Sequence, residues 1–168
     1  MTTAIRLAPE LQTTAWLNVD APLKLVALQG KIVVIHVFQM LCAGCVHHSI
    51  PLAKRMQNAF DPSVVMTIGL HSVFEHHQAM TPDSLAVFVK EQRITFPVAI
   101  DAHSKANGIP LTMQEYGMEG TPTTVLIDQH GRIRLQQFGA IDDLSLGASV
   151  GALLGEYGAT KSGVVSHA

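Results

Sequence analysis

The chain has 168 residues, a formal net charge of −2 at pH 7 and 48% hydrophobic residues, which is enough for one domain with its own core. The near-neutral charge and the scattered lysines and arginines argue against nucleic acid and anionic membrane surfaces as partners. The two cysteines, Cys42 and Cys45, lie too close in sequence to join distant parts of the chain, so we exclude a disulfide framework.

The N-terminal residues lack a positively charged segment followed by an apolar stretch, which is the pattern of a secretory signal. We therefore expect a cytoplasmic protein, and a periplasmic one if a leader has been removed. No repeat or shift of composition divides the sequence. We expect one domain over residues 1–168, with a core over about residues 15–157 and irregular termini.

Residues 1–14 are weakly patterned and should form an irregular arm. Two short apolar segments, Ala15 to Asn18 and Leu23 to Leu28, have the composition of short strands. A run of β-branched and aromatic residues then extends from Ile32 to Phe38. It is far too short to cross a bilayer and predicts a parallel strand buried on both faces.

A helix should follow this strand and begin at the two cysteines. Its buried face is predicted from apolar residues spaced by three or four positions, and Asp61-Pro62 predicts its end. The apolar residues are Val46, Ile50, Ala53, Met56 and Phe60. Cys42 and Cys45 would occupy neighbouring positions in the first helical turn, which allows them to form a small disulfide ring.

The start of a helix favours a thiolate, because free backbone N–H groups and the positive end of the helix dipole lie there. Cys42 is therefore the candidate nucleophile and Cys45 the candidate resolving thiol. A Cys42 thiolate would displace one sulfur of a partner disulfide, and Cys45 would then break the resulting mixed disulfide. The pair predicts disulfide exchange with a protein or a small thiol or disulfide, without a bound cofactor.

A second parallel strand is predicted from Val64 to Leu70, so strand, helix and strand form a βαβ unit. The segment from His71 to Met80 leaves the carboxyl end of that strand, and such segments share one edge of a sheet. We expect it near Cys42, where Glu75 or His71 could transfer protons to the thiols. The alternative is an exposed polar loop without a chemical role.

The remaining sequence alternates helix and strand signals. Thr81 followed by Pro82 predicts a helix start, and Pro97 restricts the next strand to an edge or a first position. The expected elements are a helix after Thr81, a strand at Phe96 to Asp101, a short helix at Leu111 to Tyr116, a strand at Thr124 to Asp128 and a helix near Asp142 to Glu156. Gly158 to Ala168 should be frayed.

The cysteine motif, Gly120-Thr121-Pro122-Thr123 before a strand, and a Gly131 turn into an alternating strand together resemble the thioredoxin-like proteins. The resemblance is to their redoxin, AhpC/TSA-like branch, which includes bacterial thiol–disulfide oxidoreductases. It implies a three-layer α/β/α sandwich with a central mixed β-sheet and a terminal antiparallel hairpin. It also implies that Pro122 is a cis-proline facing the cysteines and that Thr121 contacts the substrate backbone.

Four residues depart from the thioredoxin pattern. Leu41 replaces a tryptophan, and Ala43-Gly44 replaces the usual Gly-Pro, so a redox potential cannot be transferred. His36 stands where thioredoxin has a buried aspartate. Because histidine titrates near neutral pH, His36 could accept the proton of Cys45, and the alternative is a hydrogen-bonded core histidine.

Three other functions remain open at this point. A zinc site could use Cys42 and Cys45 with His47 and His48, although adjacent histidines on a helix point in different directions. The other histidine set for such a site is His71 with His76 and His77. A peroxiredoxin-type peroxidase would need a hydroxyl three residues before Cys42, where this chain has Gln39. A non-enzymatic binding module on the same scaffold is the third alternative.

Overall fold

The computed structural model describes residues 5–162, with side chains to residue 158, and its strands form one mixed sheet. The strands are β1 (Arg6–Leu7), β2 (Thr13–Leu17), β3 (Ile32–Phe38), β4 (Val65–His71), β5 (Val98–Asp101), β6 (Thr123–Ile127) and β7 (Arg132–Phe138). The helices are α1 (Ile50–Ala59), α2 (Pro82–Glu91), α3 (Leu111–Tyr116) and α4 (Asp143–Ser162). A turn of 3-10 helix, Leu25–Leu28, precedes β3, and a turn of π-helix, Cys45–Ser49, precedes α1.

Strand β3 lies at the centre of the sheet, whose order in the described part of the chain is β1-β7-β6-β3-β4-β5-β2. It runs parallel to β4 and antiparallel to β6. All residues of β3 are buried, because helices cover both faces of the sheet at this position. The predicted central buried strand and mixed sheet are confirmed.

Helices on both faces give the sheet its three layers. Successive side chains of a strand point to opposite faces, and residues 33, 35 and 37 of β3 pack with Met113 and Tyr116 of α3. On the other face, residues 32 and 34 pack with Leu52 of α1 and Leu146 of α4. Phe38 joins a cluster that includes residues of α1 and α2. The predicted thioredoxin-like α/β/α sandwich is confirmed.

The prediction of an irregular arm over residues 1–14 holds for residues 8–12 and is wrong for the two strand segments on either side of them. Arg6–Leu7 forms β1 at one edge of the sheet and pairs with β7, and Thr13 already belongs to β2, which pairs with β5. Edge strands depend on backbone hydrogen bonds to a partner, so their own residue pattern carries little signal. Residues 1–4 lie outside the described residues.

Two further predictions need correction. The segment from Leu23 to Leu28 is not a strand, because Leu25 and Leu28 are buried from one turn of 3-10 helix. The Glu10 carboxylate accepts hydrogen bonds from the N–H groups of Leu25 and Val26 and holds the start of this turn. At the C-terminus, α4 continues through the segment predicted to fray as far as Ser162, and residues 163–168 lie outside the described residues.

The sheet brings three segments together at one end of its central strands, beyond the carboxyl end of β3. Strands β3 and β4 are parallel, so the cysteine turn and the segment after His71 both leave at their carboxyl ends. Strand β6 is antiparallel to β3 and begins at Thr123, opposite Val37. Pro122 therefore enters the sheet at the same end. In the described part of the chain, no helix is long and apolar enough to cross a membrane.

Candidate active site

The two cysteines lie at the junction between β3 and the first helical segment. Helical conformation begins at Ala43, so Cys42 is the residue that precedes it. Cys42 and Cys45 form a disulfide with a Cα–Cα distance of 5.2 Å. Cys45 is completely buried, whereas Cys42 is partly exposed. A partner can therefore reach Cys42 more readily than Cys45.

Two backbone groups lie close to the Cys42 sulfur. The N–H of Cys45 donates a hydrogen bond to Cys42 Sγ at 3.2 Å. The same sulfur lies 3.6 Å from the carbonyl oxygen of Thr121. A donor at the start of a helix stabilises negative charge on the sulfur, which favours the thiolate in the reduced protein.

The peptide bond between Thr121 and Pro122 is cis, which is the geometry that the resemblance implies. Pro122 is buried, and its ring packs against Gly44 of the cysteine motif. A Cβ atom at position 44 would lie 3.3 Å from Pro122 Cδ, a tighter contact than side chains ordinarily make. Glycine at position 44 thus lets the cysteine turn approach the proline loop closely.

His36 is buried in the centre of the sheet, between Gly69 of β4 and Thr124 of β6. Neither ring nitrogen has a hydrogen-bond partner among the residues that the structure describes. Burial lowers the pKa of His36 to about 4, and its imidazole is neutral at neutral pH. His36 shares its face of β3 with Phe38, which belongs to the same apolar cluster as Cys45.

The two other candidates for proton transfer lie in different surroundings. His71 is buried at the end of β4, with its ring centroid 5.2 Å from that of Phe38. Burial, with a smaller contribution from His103, lowers the pKa of His71 to about 4. Glu75 is exposed, and its carboxylate lies 3.5 Å from the side-chain nitrogen of Gln39.

Gln39 connects the three segments of the site, a role that sequence reasoning missed. Its side chain is buried, and its Oε1 accepts a hydrogen bond from the N–H of Phe74 at 3.2 Å. Its Nε2 lies 3.5 Å from Glu75 Oε1 and 3.4 Å from Thr121 Oγ1. A glutamine directly after a buried apolar strand is the signal that could have found it, because a buried amide needs partners.

The residues considered for zinc do not form a four-ligand group. Cys42 and Cys45 are joined to each other, and His47 and His48 are exposed on the segment that follows. Within residues 5–162, no cluster of three or more histidine, cysteine, aspartate or glutamate side chains has a geometry that could hold a metal ion. The described geometry therefore gives no support to the zinc alternative.

Comparison with known proteins identifies the family. Residues 6–136 match the family model described as AhpC/TSA. The chain belongs to the AhpC/TSA family. This membership, together with thioredoxin-like solved structures, confirms the redoxin resemblance drawn from the sequence.

This AhpC/TSA chain is similar along most of its length to two solved structures. One is a thioredoxin-like superfamily protein with 50% identity and a TM-score of 0.86, covering 89% of this chain and 96% of that chain. The other is a thiol-disulfide isomerase from Corynebacterium glutamicum, with 50% identity, a TM-score of 0.83, and coverage of 88% and 96%. These similarities support oxidoreductase activity in general.

The chain is also similar to part of a larger protein. It is 30% identical to protein DipZ from Mycobacterium tuberculosis over 138 residues, which cover 80% of this chain and 19% of DipZ. The chain thus spans about a fifth of the length of that curated relative.

Proposed function

We propose that the chain catalyses thiol–disulfide exchange with Cys42 as the nucleophile and Cys45 as the resolving thiol. The carrying observation is the position of Cys42 Sγ, partly exposed at the start of a helix and 3.2 Å from the N–H of Cys45. A thiolate there is stabilised and accessible, whereas the buried Cys45 sulfur meets an attacking group less readily. The thiol-disulfide isomerase among the similar structures supports the same chemistry.

The exchange proceeds in two displacements. The Cys42 thiolate attacks one sulfur of the partner disulfide, the partner S–S bond breaks, and the leaving partner thiolate takes a proton. Cys45 then loses its proton and attacks Cys42 of the mixed disulfide. The Cys42–Cys45 bond forms, the second partner sulfur leaves as a thiol, and two electrons have passed to the partner. The reverse sequence oxidises a dithiol partner.

His36 is the proposed proton acceptor for Cys45 in the second displacement. It is neutral at neutral pH, and neither of its ring nitrogens is committed to another group. Because burial lowers its pKa to about 4, the protonated ring would be short-lived and would pass the proton on. Exchange by His36→Leu at an unchanged rate across neutral pH would exclude this role.

Thr121 and Pro122 are the proposed platform for the substrate. The Thr121 carbonyl lies 3.6 Å from Cys42 Sγ, so a backbone paired with Thr121 would hold its sulfur close to the nucleophile. Glu75 is proposed as a further proton-transfer group, because its contact with Gln39 places it beside Thr121. We rank His71 below Glu75 as a proton-transfer group, because its ring packs against Phe38 and has no described contact with either cysteine.

A Cys45→Ser protein tests this function, because the mixed disulfide that Cys42 forms can no longer be resolved. We expect it to accumulate a covalent adduct with a disulfide substrate, visible by non-reducing electrophoresis and mass spectrometry and released by reductant. Cys42→Ser is the matched control and should form no such adduct. An adduct on Cys45 of the Cys42→Ser protein with none on Cys42 of the Cys45→Ser protein, or no exchange by the native chain, would contradict the proposal.

Peroxidase chemistry is less well supported by these residues. Ile35 and Gln39 occupy the positions at which a peroxiredoxin motif has proline and a hydroxyl side chain. The Gln39 amide is already in contact with Phe74, Glu75 and Thr121. We therefore expect slow oxidation of Cys42 by hydrogen peroxide, and rapid loss of its thiolate at low peroxide concentration would favour a peroxidase.

A further inference from the structure

A groove of about 750 Å³ lies between α3 and the segment that follows β4. It is called the α3 groove here, and its lining includes Phe74, Ile109, Met113, Gln114, Met118 and Glu119. Phe74 and Ile109 are 37% and 40% exposed, which is high for large apolar side chains. The groove thus offers apolar surface that the described part of the chain leaves uncovered.

The α3 groove borders the candidate active site. Glu119 is two residues before Thr121, so their Cα atoms are at most about 7.6 Å apart. On the other side, the N–H of Phe74 donates to Gln39, whose amide also contacts Thr121. A chain segment whose sulfur reaches Cys42 can therefore extend directly into the groove.

The groove and its junction with the site carry negative charge. Glu119 lines the groove and, in the described part of the chain, forms no hydrogen bond or ion pair. Glu75 follows Phe74 and is exposed, and among the residues that the structure describes its carboxylate contacts the uncharged amide of Gln39. No lysine or arginine belongs to the groove lining. Two carboxylates beside apolar side chains suit a segment that combines cationic and apolar residues.

We propose that the α3 groove binds a polypeptide segment of the disulfide partner, with apolar side chains in the groove and a lysine or arginine beside Glu75 and Glu119. This inference rests on the proposed function and adds the class of substrate. A polypeptide can place one sulfur at Cys42 and still bury neighbouring side chains in the groove. A small disulfide that carries carboxylates fills neither requirement and is repelled by the two glutamates.

The test uses reduced protein and three chromogenic disulfides that share nitrothiobenzoate as the leaving group. The first two are peptides with leucine and either lysine or glutamate on both sides of one cysteine, and the third is the mercaptoethanol derivative. In each reaction Cys42 forms a disulfide with the substrate sulfur, and nitrothiobenzoate leaves as a coloured thiolate. Each peptide rate is divided by the mercaptoethanol rate of the same variant, which removes differences in thiol reactivity.

We expect the native protein to react roughly tenfold faster with the lysine peptide than with the glutamate peptide, because attraction is exchanged for repulsion at two carboxylates. Glu119→Gln should lower this ratio to about threefold. Phe74→Ser should lower the normalised rates of both peptides, because it removes apolar contact from the groove. Glu91→Gln makes the same change of charge at the end of α2 and should keep the native ratio.

Equal normalised rates for the two peptides in the native protein would overturn the proposed groove partner. A charge preference that Glu119→Gln does not reduce would overturn it as well. In both cases exchange with the mercaptoethanol derivative shows that the proposed function still holds. Failure of the reduced protein to react with any of the three disulfides would contradict the proposed function and this inference together.

Discussion

Buried polar groups near the two ends of β3 differ in their hydrogen bonding. Beyond its first residues lies the turn between β6 and β7, where the Asp128 carboxylate accepts hydrogen bonds from Arg132, Arg134 and the N–H of His130. Towards the cysteines, neither ring nitrogen of His36, nor Nε2 of His71, has a hydrogen-bond partner within the described part of the chain. The Asp128 carboxylate is thus fully hydrogen-bonded, whereas the two histidines retain ring nitrogens with unused hydrogen-bonding capacity.

The pKa values follow the same division. At Asp128, burial alone would raise the pKa, but the hydrogen bonds from Arg132 and Arg134 keep it below its ordinary value. At His36, burial lowers the pKa and no hydrogen bond opposes the effect. Unsatisfied buried groups cost stability, and they persist more often at functional sites. The Asp128 network therefore stabilises the hairpin, while burial keeps the imidazoles of His36 and His71 neutral at neutral pH.

The largest effect on stability is expected at the hairpin. Asp128→Ala removes the buried acceptor for Arg132 and Arg134 and should lower the free energy of unfolding by about 3 kcal/mol. Urea unfolding measures the loss. The rate of disulfide exchange should stay native under folding conditions, because the hairpin lies at the opposite end of β3 from Cys42.

Asp20→Ala is the matched control, since Asp20 is exposed and the same change there should cost under about 0.5 kcal/mol. If Asp128→Ala proved as stable as this control, the hairpin would contribute no more than ordinary surface, and the comparison of the two ends would fail.

The next largest effect is on the pH dependence of the free energy of unfolding. The pKa of His36 is about 4 in the folded protein, below the ordinary 6.5, so the unfolded chain binds a proton first as pH falls. Its contribution to stability is complete above pH 6.5 and is lost as pH falls towards 4, by about 3 kcal/mol at most. His36→Leu should therefore show a shallower loss of unfolding free energy in urea titrations over this range.

His71 has the same direction of shift and should leave a residual slope in the His36→Leu protein. Only the slopes are compared, because the substitution can change stability at every pH. An identical slope in the native and His36→Leu proteins would show that His36 does not titrate as its burial requires.

A smaller effect is expected at Gln39. Gln39→Ala leaves the N–H of Phe74 without its acceptor and releases Thr121, which should cost about 1–2 kcal/mol of unfolding free energy. Exchange should slow severalfold, because the loop that carries Thr121 loses a contact close to the nucleophile. Stopped-flow exchange kinetics measure this change, and Gln12→Ala, at an exposed glutamine, is the control.

An undiminished exchange rate in Gln39→Ala would contradict the positioning role of Gln39. A fall in the rates of both glutamine variants would attribute the effect to general loss of stability instead.

Much of the fold could be predicted because its signals are local. The apolar run of β3, the Thr81-Pro82 helix start and the spacing of the two cysteines each identify an element without knowledge of its neighbours. The edge strands β1 and β2 could not be found this way, because their backbone hydrogen bonds come from β7 and β5. The 3-10 turn at Leu25–Leu28 depends on Glu10, which is separated from it in the sequence by strand β2.

Prediction of the candidate active site from the sequence has the same limit. The cysteine motif and Pro122 are local patterns, and the sequence indicated both. Gln39 acquires its role from contacts with Phe74 and Thr121, which lie 35 and 82 positions away in the sequence. Likewise, the sequence shows that His36 lies in an apolar strand but not that both ring nitrogens lack a partner. Such properties arise from packing and become visible only in three dimensions.

The most direct measurement is the pKa of the Cys42 thiol. The Cys45→Ser protein has Cys42 as its one thiol, so its alkylation by iodoacetamide as a function of pH reports that thiol alone. We expect a pKa at least one unit below the ordinary value of about 8.5, because the N–H of residue 45 and the start of the helix stabilise the thiolate. A pKa at or above about 8.5 would contradict the assignment of Cys42 as the activated nucleophile.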